Sequence, residues 1–345
     1  MNVHIRGTIG LRLVTVLRFA AAVLTFAAVP ILAPVSASAV RAPAADGSRL
    51  DHPDGSHLDH TVRIDDRRSR LYVYSAAMRR VIALDFIRAA DTGAPRPTLY
   101  LLDGAEDGIG WDGTETSWET KTDLIPFTAD KNVNVVTVLD GRYSYYTDWQ
   151  SDDPVLGRNR WTTFLTRELP PIIDAAYDTS GRNAIAGVSM SATSALALAE
   201  SAPGLYAAVG SFSGCAQTGA DPGRRYVQAV VASGGGNPWN MWGPDGSPAW
   251  TANDPSTDAN LRALRGVDLY LSAGTGGPDA AGVTPPAGGM LESVVATCTR
   301  KLQASTTRLG IPATFQYVPG GQHSWPYWQQ SLHAAWPGFA RALGI

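Results

Sequence analysis

Cysteine and charged residues are scarce in this chain, and both shortages exclude classes of protein. Only 2 of the 345 residues are cysteines, which is too few for a disulfide-rich scaffold or a four-cysteine zinc site. Charged residues make up 17% of the chain, against roughly 25% in an average globular protein. Hydrophobic residues make up 44%, which is enough to bury a full core.

The sequence also lacks the patterns that bind nucleic acids, nucleotides and metals. The net charge is −3, and no run of lysine and arginine is dense enough to follow a phosphate backbone. The glycines at 234–236 are not followed by the Lys-Ser/Thr of a phosphate-binding loop. We therefore expect no nucleic-acid partner, no metal and no cofactor.

Long apolar runs are missing except near the N-terminus. Three arginines precede an apolar stretch over residues 19–35, and Ala37-Ser-Ala39 follows it. A positive segment, an apolar segment and a small-x-small end predict a secretory signal peptide over residues 1–39, cleaved after Ala39. An uncleaved anchor is the alternative, but two prolines interrupt a run that is already short for a membrane span.

Export would place the two cysteines in an oxidising compartment. Cys215 and Cys298 are then the only possible disulfide pair, with two buried free thiols as the alternative. Residues 40–66 contain few large apolar side chains and predict a flexible leader. Its three histidines, His52, His57 and His60, fit such a leader better than a metal site.

Strand-like and helix-like stretches alternate from Leu71 onward. This alternation predicts an α/β fold with a mostly parallel sheet and helices on both faces, in one catalytic domain over residues 67–345. A Gly/Pro/Trp-rich stretch at about 214–260 is too long for an ordinary loop and predicts an irregular insertion. The predicted strands cover residues 71–74, 81–87, 98–102, 133–139, 183–188, 206–212, 267–272 and 314–318.

A serine stands between a predicted strand and a predicted helix. Gly187-Val-Ser-Met-Ser191 lies at the end of the strand over 183–188. A nucleophile elbow needs small residues around its serine, because strand and helix come close there. Ser191 stands where the usual motif has its second glycine. Ser189 is thus the candidate nucleophile, with a helix N-cap serine as the alternative.

A serine hydroxyl needs a base that takes its proton, and the chain has six histidines. His323 lies in a loop just after the last predicted strand, where α/β-hydrolases carry their base. His333 lies in a helix-like run and is expected to be a surface or packing residue.

The base needs a carboxylate that orients it. Asp268 lies at the wrong end of its strand and Asp254 in a turn, whereas Asp279 and Glu292 both follow the strand over 267–272. Spacing does not separate these two. The oxyanion hole would take one N–H from Met190 and a second from the loop after strand 98–102.

Several motifs in fixed order resemble the mycolyltransferases of the antigen 85 type, which are secreted α/β-hydrolase-fold enzymes of actinobacteria. The resemblance extends from about Tyr72 to the C-terminus. It rests, among others, on Tyr100-Leu-Leu-Asp-Gly104, Tyr145-Tyr-Thr-Asp-Trp149, Gly187-Val-Ser-Met190, Met241-Trp-Gly-Pro244, Asn253-Asp-Pro255 and His323-Ser-Trp-Pro-Tyr-Trp328.

The resemblance implies transfer of a mycoloyl group from trehalose monomycolate to trehalose or arabinogalactan. It selects Glu292 as the acid beside Ser189 and His323, and it implies N–H donors at Ala105 and Met190 and sugar contacts at Asp103, Ser324 and Trp325. The cysteines depart from the family, because Ser272 stands where the family has a cysteine in the acid-bearing strand. We predict instead that Cys215 and Cys298 pair and fix the helix of Glu292. An arginine of the family's sugar site has no counterpart, and Glu106 stands nearest to its place.

The implied partners are a glycolipid substrate and a sugar acceptor, with peripheral contact to the cell envelope and a monomeric chain. Two other functions stay open, a secreted carboxylesterase and a non-catalytic carbohydrate-binding relative. Candidate surfaces for stacking on sugar are Trp111, Trp149, Trp242, Trp250, Trp325 and Trp328, although Trp is also an ordinary core residue.

Overall fold

The computed structural model describes residues 55–106, 116–277 and 287–345. The strands in these ranges are β1 (His57–Arg63), β2 (Arg68–Ser75), β3 (Arg80–Ile87), β4 (Thr98–Leu102), β5 (Asn134–Val138), β6 (Asn183–Val188), β7 (Tyr206–Phe212), β8 (Asp268–Gly274) and β9 (Thr314–Val318). The helices are α1 (Ser117–Thr120), α2 (Leu124–Phe127), α3 (Trp161–Thr163), α4 (Leu169–Tyr177), α5 (Met190–Ser201), α6 (Gly223–Ser233), α7 (Pro238–Trp242), α8 (Pro248–Ala252), α9 (Asp258–Ala263), α10 (Ala287–Leu309) and α11 (Trp325–Leu343). A π-helical segment, Phe164–Glu168, joins α3 to α4.

All nine of these strands belong to one sheet, in the order β1-β2-β3-β5-β4-β6-β7-β8-β9. The strands β1, β2 and β3 are antiparallel to their neighbours. The other six strands, β4 to β9, run parallel to one another. Every residue of β4, β5 and β6 is buried, as expected for parallel strands covered on both faces. The predicted α/β architecture with a mostly parallel sheet is confirmed.

Each face of the sheet has its own core. Along β4, Tyr100 and Leu102 belong to one cluster of buried residues, and Leu99 and Leu101 belong to the other. Helix α5 packs into the first cluster and α11 into the second. This alternation follows from the two-residue period of a strand, and it fixes α5 and α11 on opposite sides of the sheet.

The flexible leader expected over residues 40–66 is wrong at its C-terminal end, because β1 lies there. Strand β1 pairs with β2 at the sheet edge. His57 stacks on Tyr74 at 5.3 Å between ring centroids, and His60 stacks on Tyr72 at 4.1 Å. An edge strand is held by backbone hydrogen bonds and needs few apolar side chains, so composition alone did not reveal it.

The insertion over about 214–260 is helical rather than irregular. It contains α6, α7, α8 and the first residues of α9, and Val227, Met241 and Trp250 are buried in the core. Pro238 and Pro248 stand in the first turns of α7 and α8, where proline is favourable because the first helical N–H groups have no partner. Two of the prolines that suggested irregularity are therefore helix starts.

In the part of the chain that the structure describes, no helix combines the length and apolarity that a membrane crossing needs. The predicted signal peptide over residues 1–39, its cleavage point after Ala39 and the first part of the leader lie outside the described residues.

The carboxyl ends of the parallel strands meet at one edge of the sheet. Leu102 of β4 pairs with Gly187 of β6, and Gly274 of β8 pairs with Val318 of β9. The segments that follow these strands therefore emerge side by side. Such an edge is where open α/β sheets bind their ligands.

Candidate active site

Ser189 lies in a sharp turn between β6 and α5. Its backbone has φ 56° and ψ −119°, a conformation that a residue with a side chain rarely adopts and that clusters at functional sites. A Cβ on Gly187 would lie 2.3 Å from the carbonyl oxygen of Ser191, so glycine is required there. The turn thus presents Ser189 at the edge where the parallel strands end.

Ser191 has a structural reason to replace the second glycine of the usual motif. Its hydroxyl accepts a hydrogen bond from the Val188 N–H at 2.9 Å and donates to the Leu102 carbonyl at 2.9 Å. The first contact closes the turn, and the second ties it to the end of β4. A serine at this position therefore stabilises the turn.

His323 connects Ser189 to Glu292. Its Nε2 lies 2.7 Å from the Ser189 Oγ, and its Nδ1 lies 2.9 Å from Glu292 Oε1. An ionised carboxylate only accepts, so Nδ1 carries the proton and Nε2 accepts from the serine hydroxyl. The structure brings these three predicted residues together with the polarity that a serine nucleophile needs.

Glu292 is fully buried, and its second oxygen also has a partner. Oε2 accepts from the Gly274 N–H at 2.9 Å, at the end of β8. Both carboxylate oxygens are thus held, one by β8 and one by His323. The other candidates for the acid have different partners. Asp254 accepts from the Gly219 N–H, and Asp268 pairs with Arg341. Asp279 lies outside the described residues.

The loop that carries His323 packs closely on β8 and α10. A Cβ on Gly274 would lie 2.3 Å from the Gly321 carbonyl oxygen, so the strand end and the loop touch through their backbones. The His323 N–H also donates to the Gly288 carbonyl at 3.4 Å. These contacts bring His323 to Glu292 over a separation of 31 residues.

Cys215 and Cys298 form a disulfide with a Cα–Cα distance of 5.1 Å, as predicted. Cys298 lies on α10, six residues after Glu292, and Cys215 follows β7. The Gln217 side chain adds a hydrogen bond to the Cys298 carbonyl at 3.1 Å. The helix that carries the acid is therefore tied to the segment beyond the neighbouring strand β7.

The two predicted oxyanion donors lie at the same strand ends as Ser189. Met190 is the first residue of α5, where the first N–H groups of a helix lack partners within the helix. Ala105 follows β4, whose last residue pairs with Gly187. This placement is compatible with the predicted donor roles, which stay predictions.

The three residues predicted to contact sugar are buried or half-buried. Asp103 is buried and accepts from the Ser117 N–H at 3.2 Å. Trp325 is 8% exposed and packs edge-on against Trp118. Ser324 is half-buried and precedes α11. Sugar binding by these residues stays a prediction.

The tryptophans considered for sugar stacking are core residues wherever the structure describes them. Each is at most 8% exposed, and Trp111 lies outside the described residues. Among the described tryptophans, Trp239 is the exposed one, at 58%. The buried ones are Trp149, Trp242, Trp250, Trp325 and Trp328.

Two further findings concern titratable residues. His333 stacks on Phe127 and lies 2.9 Å from an oxygen of Asp123, so it packs away from the triad as predicted. Within residues 55–106, 116–277 and 287–345, no group of three or more His, Cys, Asp or Glu side chains could hold a metal ion.

Sequence reasoning assigned no role to Tyr226, which is half-buried on α6. Burial raises the pKa of its phenol, and the Glu292 charge raises it further. No motif marks this tyrosine in the sequence.

Known proteins resemble this chain over most of its length. Residues 75–339 match the Esterase family, described as "Putative esterase". The diacylglycerol acyltransferase/mycolyltransferase Ag85A of Mycobacterium leprae is 32% identical over 285 residues, covering 79% of this chain and 83% of the relative. Ag85B of the same organism is 33% identical over 282 residues, covering 79% and 83%.

Solved structures give the same result for the fold. MPT51 (FbpC1) of Mycobacterium tuberculosis matches with a TM-score of 0.66 at 25% identity, over 78% of this chain and 96% of that one. An S-formylglutathione hydrolase of Agrobacterium tumefaciens matches with a TM-score of 0.61 at 14% identity, over 83% and 99%, which concerns the fold alone. The fold is that of the α/β-hydrolases, and the chain is a serine enzyme that belongs to the Ag85 acyltransferase/mycolyltransferase family.

Proposed function

We propose that this protein transfers a mycoloyl group from trehalose monomycolate to trehalose or arabinogalactan through an ester on Ser189. The proposal rests on one observation: the two ring nitrogens of His323 contact Ser189 and Glu292. Relatives with about one third identity are named diacylglycerol acyltransferase/mycolyltransferase, which supports acyl transfer as the reaction.

In the first half-reaction, the Ser189 Oγ attacks the ester carbonyl and its proton moves to His323 Nε2. The carbonyl oxygen becomes an oxyanion that the N–H groups of Ala105 and Met190 would bind. The bond to the sugar oxygen then breaks, and His323 gives its proton to that oxygen. Trehalose leaves, and the acyl group stays on Ser189.

In the second half-reaction, a hydroxyl of the acceptor takes the place of the departed sugar. His323 removes its proton, the acceptor oxygen attacks the acyl carbonyl, and the bond to Oγ breaks with return of the proton to Ser189. Transfer and hydrolysis share these steps and differ only in the acceptor. A transferase must hold a sugar hydroxyl in position well enough to exceed the rate with water.

Glu292 supports the imidazolium that forms in each step. Its carboxylate is fully buried and contacts Nδ1 at 2.9 Å, so the positive charge on His323 meets a fixed negative charge away from water. The hydrogen bond from the Gly274 N–H holds the carboxylate in one orientation.

A carboxylesterase is the second candidate function. The matching family is described as an esterase, and the tryptophans first considered for sugar stacking are buried wherever they are described. Both points favour an enzyme whose acceptor is water. A carbohydrate-binding relative without activity is disfavoured by the contacts among Ser189, His323 and Glu292.

Two measurements separate these functions. A fluorophosphonate probe should label the wild-type protein but not Ser189→Ala. The control is Ser201→Ala, which should be labelled; Ser201 ends α5, and its hydroxyl donates to the Leu198 carbonyl. Incubation with trehalose monomycolate and excess trehalose should then give trehalose dimycolate on thin-layer plates. Free mycolic acid as the sole product would indicate the esterase. Labelling of Ser189→Ala would contradict the role of Ser189 and with it both functions.

We also propose that the protein acts outside the cell, against the cell envelope, as a monomer. The N-terminal arginines, apolar stretch and Ala37-Ser-Ala39 support export and cleavage after Ala39. N-terminal sequencing of protein from the culture medium should begin at Val40. Retention of residues 1–39 on membrane-bound protein would contradict export by cleavage.

A further inference from the structure

Trp328 lies on α11 and packs directly against the ring of the candidate base. The centroids of the His323 and Trp328 rings are 5.1 Å apart, and the ring planes are nearly perpendicular, at 89°. The indole is buried, and its Nε1–H donates to the Ser213 hydroxyl at 3.0 Å. One side chain thus contacts the base through its ring and a different segment through its N–H.

Ser213 directly follows the strand that holds the backbone of the nucleophile. The last residue of β7 is Phe212, whose carbonyl accepts a hydrogen bond from the Ser189 N–H at 2.9 Å. The Ser213 N–H in turn donates to the Ser272 carbonyl of β8 at 2.8 Å. The hydrogen bond from Trp328 therefore ends at the neighbour of the residue that holds Ser189.

The backbone of Ser213 is strained. Its φ is 60°, in the left-handed region that a residue with a side chain rarely adopts. Such residues cluster at functional sites and keep their conformation only where the surrounding contacts enforce it. The hydrogen bond from the buried Trp328 is one of these contacts, so the strained residue and the indole hold each other.

The indole restricts the rotation that the hydrogen bonds of His323 leave open. Nδ1 contacts Glu292 at 2.9 Å and Nε2 contacts Ser189 at 2.7 Å. These two contacts fix the ends of the imidazole but leave a tilt about the line through its two nitrogens. Because the Nε2 lone pair lies in the ring plane at an angle to that line, a tilt turns it away from the serine oxygen. A perpendicular ring at 5.1 Å limits this tilt.

Other tryptophans support the indole from within the core. Trp325 packs edge-on against Trp328, at 5.1 Å between ring centroids, and against Trp118, at 5.3 Å. The Trp118 Nε1–H donates to the Leu102 carbonyl at the end of β4. Trp328 is therefore surrounded by the protein, and its burial leaves little surface for stacking on a sugar.

We propose that Trp328 is a positioning residue, which holds the His323 imidazole at the tilt where Nε2 faces the Ser189 Oγ. The inference rests on the serine mechanism proposed above. The indole takes no proton in either half-reaction, since the proton moves between His323 and the reacting oxygens. Trp328 acts in both, because the same Nε2 lone pair accepts from Ser189 in the first and from the acceptor hydroxyl in the second.

Replacement of Trp328 by phenylalanine shortens the ring and removes the N–H donor. We expect kcat with p-nitrophenyl butyrate to fall about 10- to 100-fold, because a misplaced base loses much of its effect. KM should change less than about twofold, since the indole acts on the base and not on the substrate. The far-downfield proton NMR signal of the Nδ1–H between His323 and Glu292 should also shift or broaden, which loss of stability alone would not cause.

Ser213→Ala tests the same hydrogen bond from its other end and leaves the indole in place. It should lower kcat about three- to tenfold. The double variant with Trp328→Phe should be no slower than Trp328→Phe alone, because both changes remove one and the same contact. Losses that add in full would contradict the connection through Ser213.

Trp336→Phe is the matched control on the same helix, about two turns beyond Trp328. Trp336 is half-buried and packs edge-on against Phe127, at 5.8 Å between ring centroids. This variant should lose stability while it keeps the wild-type kcat, KM and Nδ1–H signal.

Three outcomes would overturn the inference. Wild-type kcat in Trp328→Phe means that the indole does not position the base, and an equal loss in Trp336→Phe means a general loosening of α11. A raised KM with unchanged kcat means that Trp328 binds substrate instead. Ser189→Ala separates these failures from failure of the proposed function. If Ser189→Ala is inactive while Trp328→Phe has wild-type kcat, only the role of Trp328 is lost; if Ser189→Ala keeps its activity, both are lost.

Discussion

The nucleophile and its two partners belong to parts of the molecule that are held in different ways. Residues 187–191, here called the elbow, are fixed by neighbours in sequence and by the two strands beside β6. The acid–base arm, which consists of β8, α10, β9 and residues 319–324, is fixed by contacts between distant segments, including a disulfide over 83 residues. The elbow depends on β6, α5 and the strand ends on either side of it, whereas the arm also depends on a covalent bond to the segment after β7.

This difference predicts separate responses to mutation. Damage to the elbow should lower stability more than activity, because its backbone contacts belong to the core. Substitutions in the arm at or beside His323 and Glu292 should lower activity more than stability, because they move these side chains relative to an elbow that stays folded.

The largest expected effect is that of Glu292→Gln on the arm. The amide keeps the size of the side chain but can no longer hold the His323 tautomer that accepts from Ser189, and kcat should fall about 10⁴-fold. Activity on p-nitrophenyl butyrate measures the loss. Asp268→Asn, at the other end of β8, is the control and should keep its activity; equal losses in both variants would contradict the assignment of Glu292.

A pair of glycine variants compares the two regions directly. In Gly187→Ala the new Cβ meets the Ser191 backbone, and in Gly274→Ala it meets the Gly321 backbone, each at 2.3 Å. Gly187→Ala should cost about 1–3 kcal/mol of stability. Gly274→Ala should shift the loop of His323 and lower kcat about 10²-fold, with a smaller change in urea midpoint.

Gly277→Ala is the control for this pair, since a Cβ there would find open space. Its stability and kcat should match those of the wild type. The comparison fails if Gly274→Ala loses more stability than Gly187→Ala while it keeps its activity.

The disulfide should have a smaller effect on activity than either of these changes. Closure of a loop of this length stabilises the folded state by up to about 4.5 kcal/mol in the chain-entropy description. Reduction, or the double variant Cys215→Ser with Cys298→Ser, should lower the melting temperature and reduce kcat by about tenfold or less, because α10 loses its anchor. Unchanged kcat with a lowered melting temperature would show that the bond stabilises the fold without positioning Glu292.

Local patterns predicted the central sheet well. The strands β4, β6 and β7 match their predicted bounds, because buried parallel strands are continuous apolar runs. The strand β9 also matches, although it lies at the sheet edge and is partly exposed. The elbow was predicted for the same reason, since Ser189 directly follows such a run, which contains Gly187. The edge strand β1 was not predicted, because it pairs through its backbone and exposes polar side chains.

Long-range contacts account for what the residues alone could not predict. Spacing left Asp279 and Glu292 equivalent, and the choice of Glu292 came from the resemblance to a family. The disulfide joins Cys215 to Cys298 across 83 residues, a contact that no local pattern encodes. The tryptophans are the clearest limit of composition, because a buried and a sugar-binding tryptophan look alike in a sequence.

The smallest expected effect belongs to Ser191→Ala on the elbow. This change removes the acceptor of the Val188 N–H and the donor to the Leu102 carbonyl, both at 2.9 Å and buried. The loss should cost about 1–2 kcal/mol in urea unfolding, whereas kcat should stay within about threefold, because β6 and α5 still fix the backbone of Ser189. A large loss of kcat without loss of stability would mean that Ser191 positions the nucleophile, and that the elbow depends on this single side chain rather than on its local backbone.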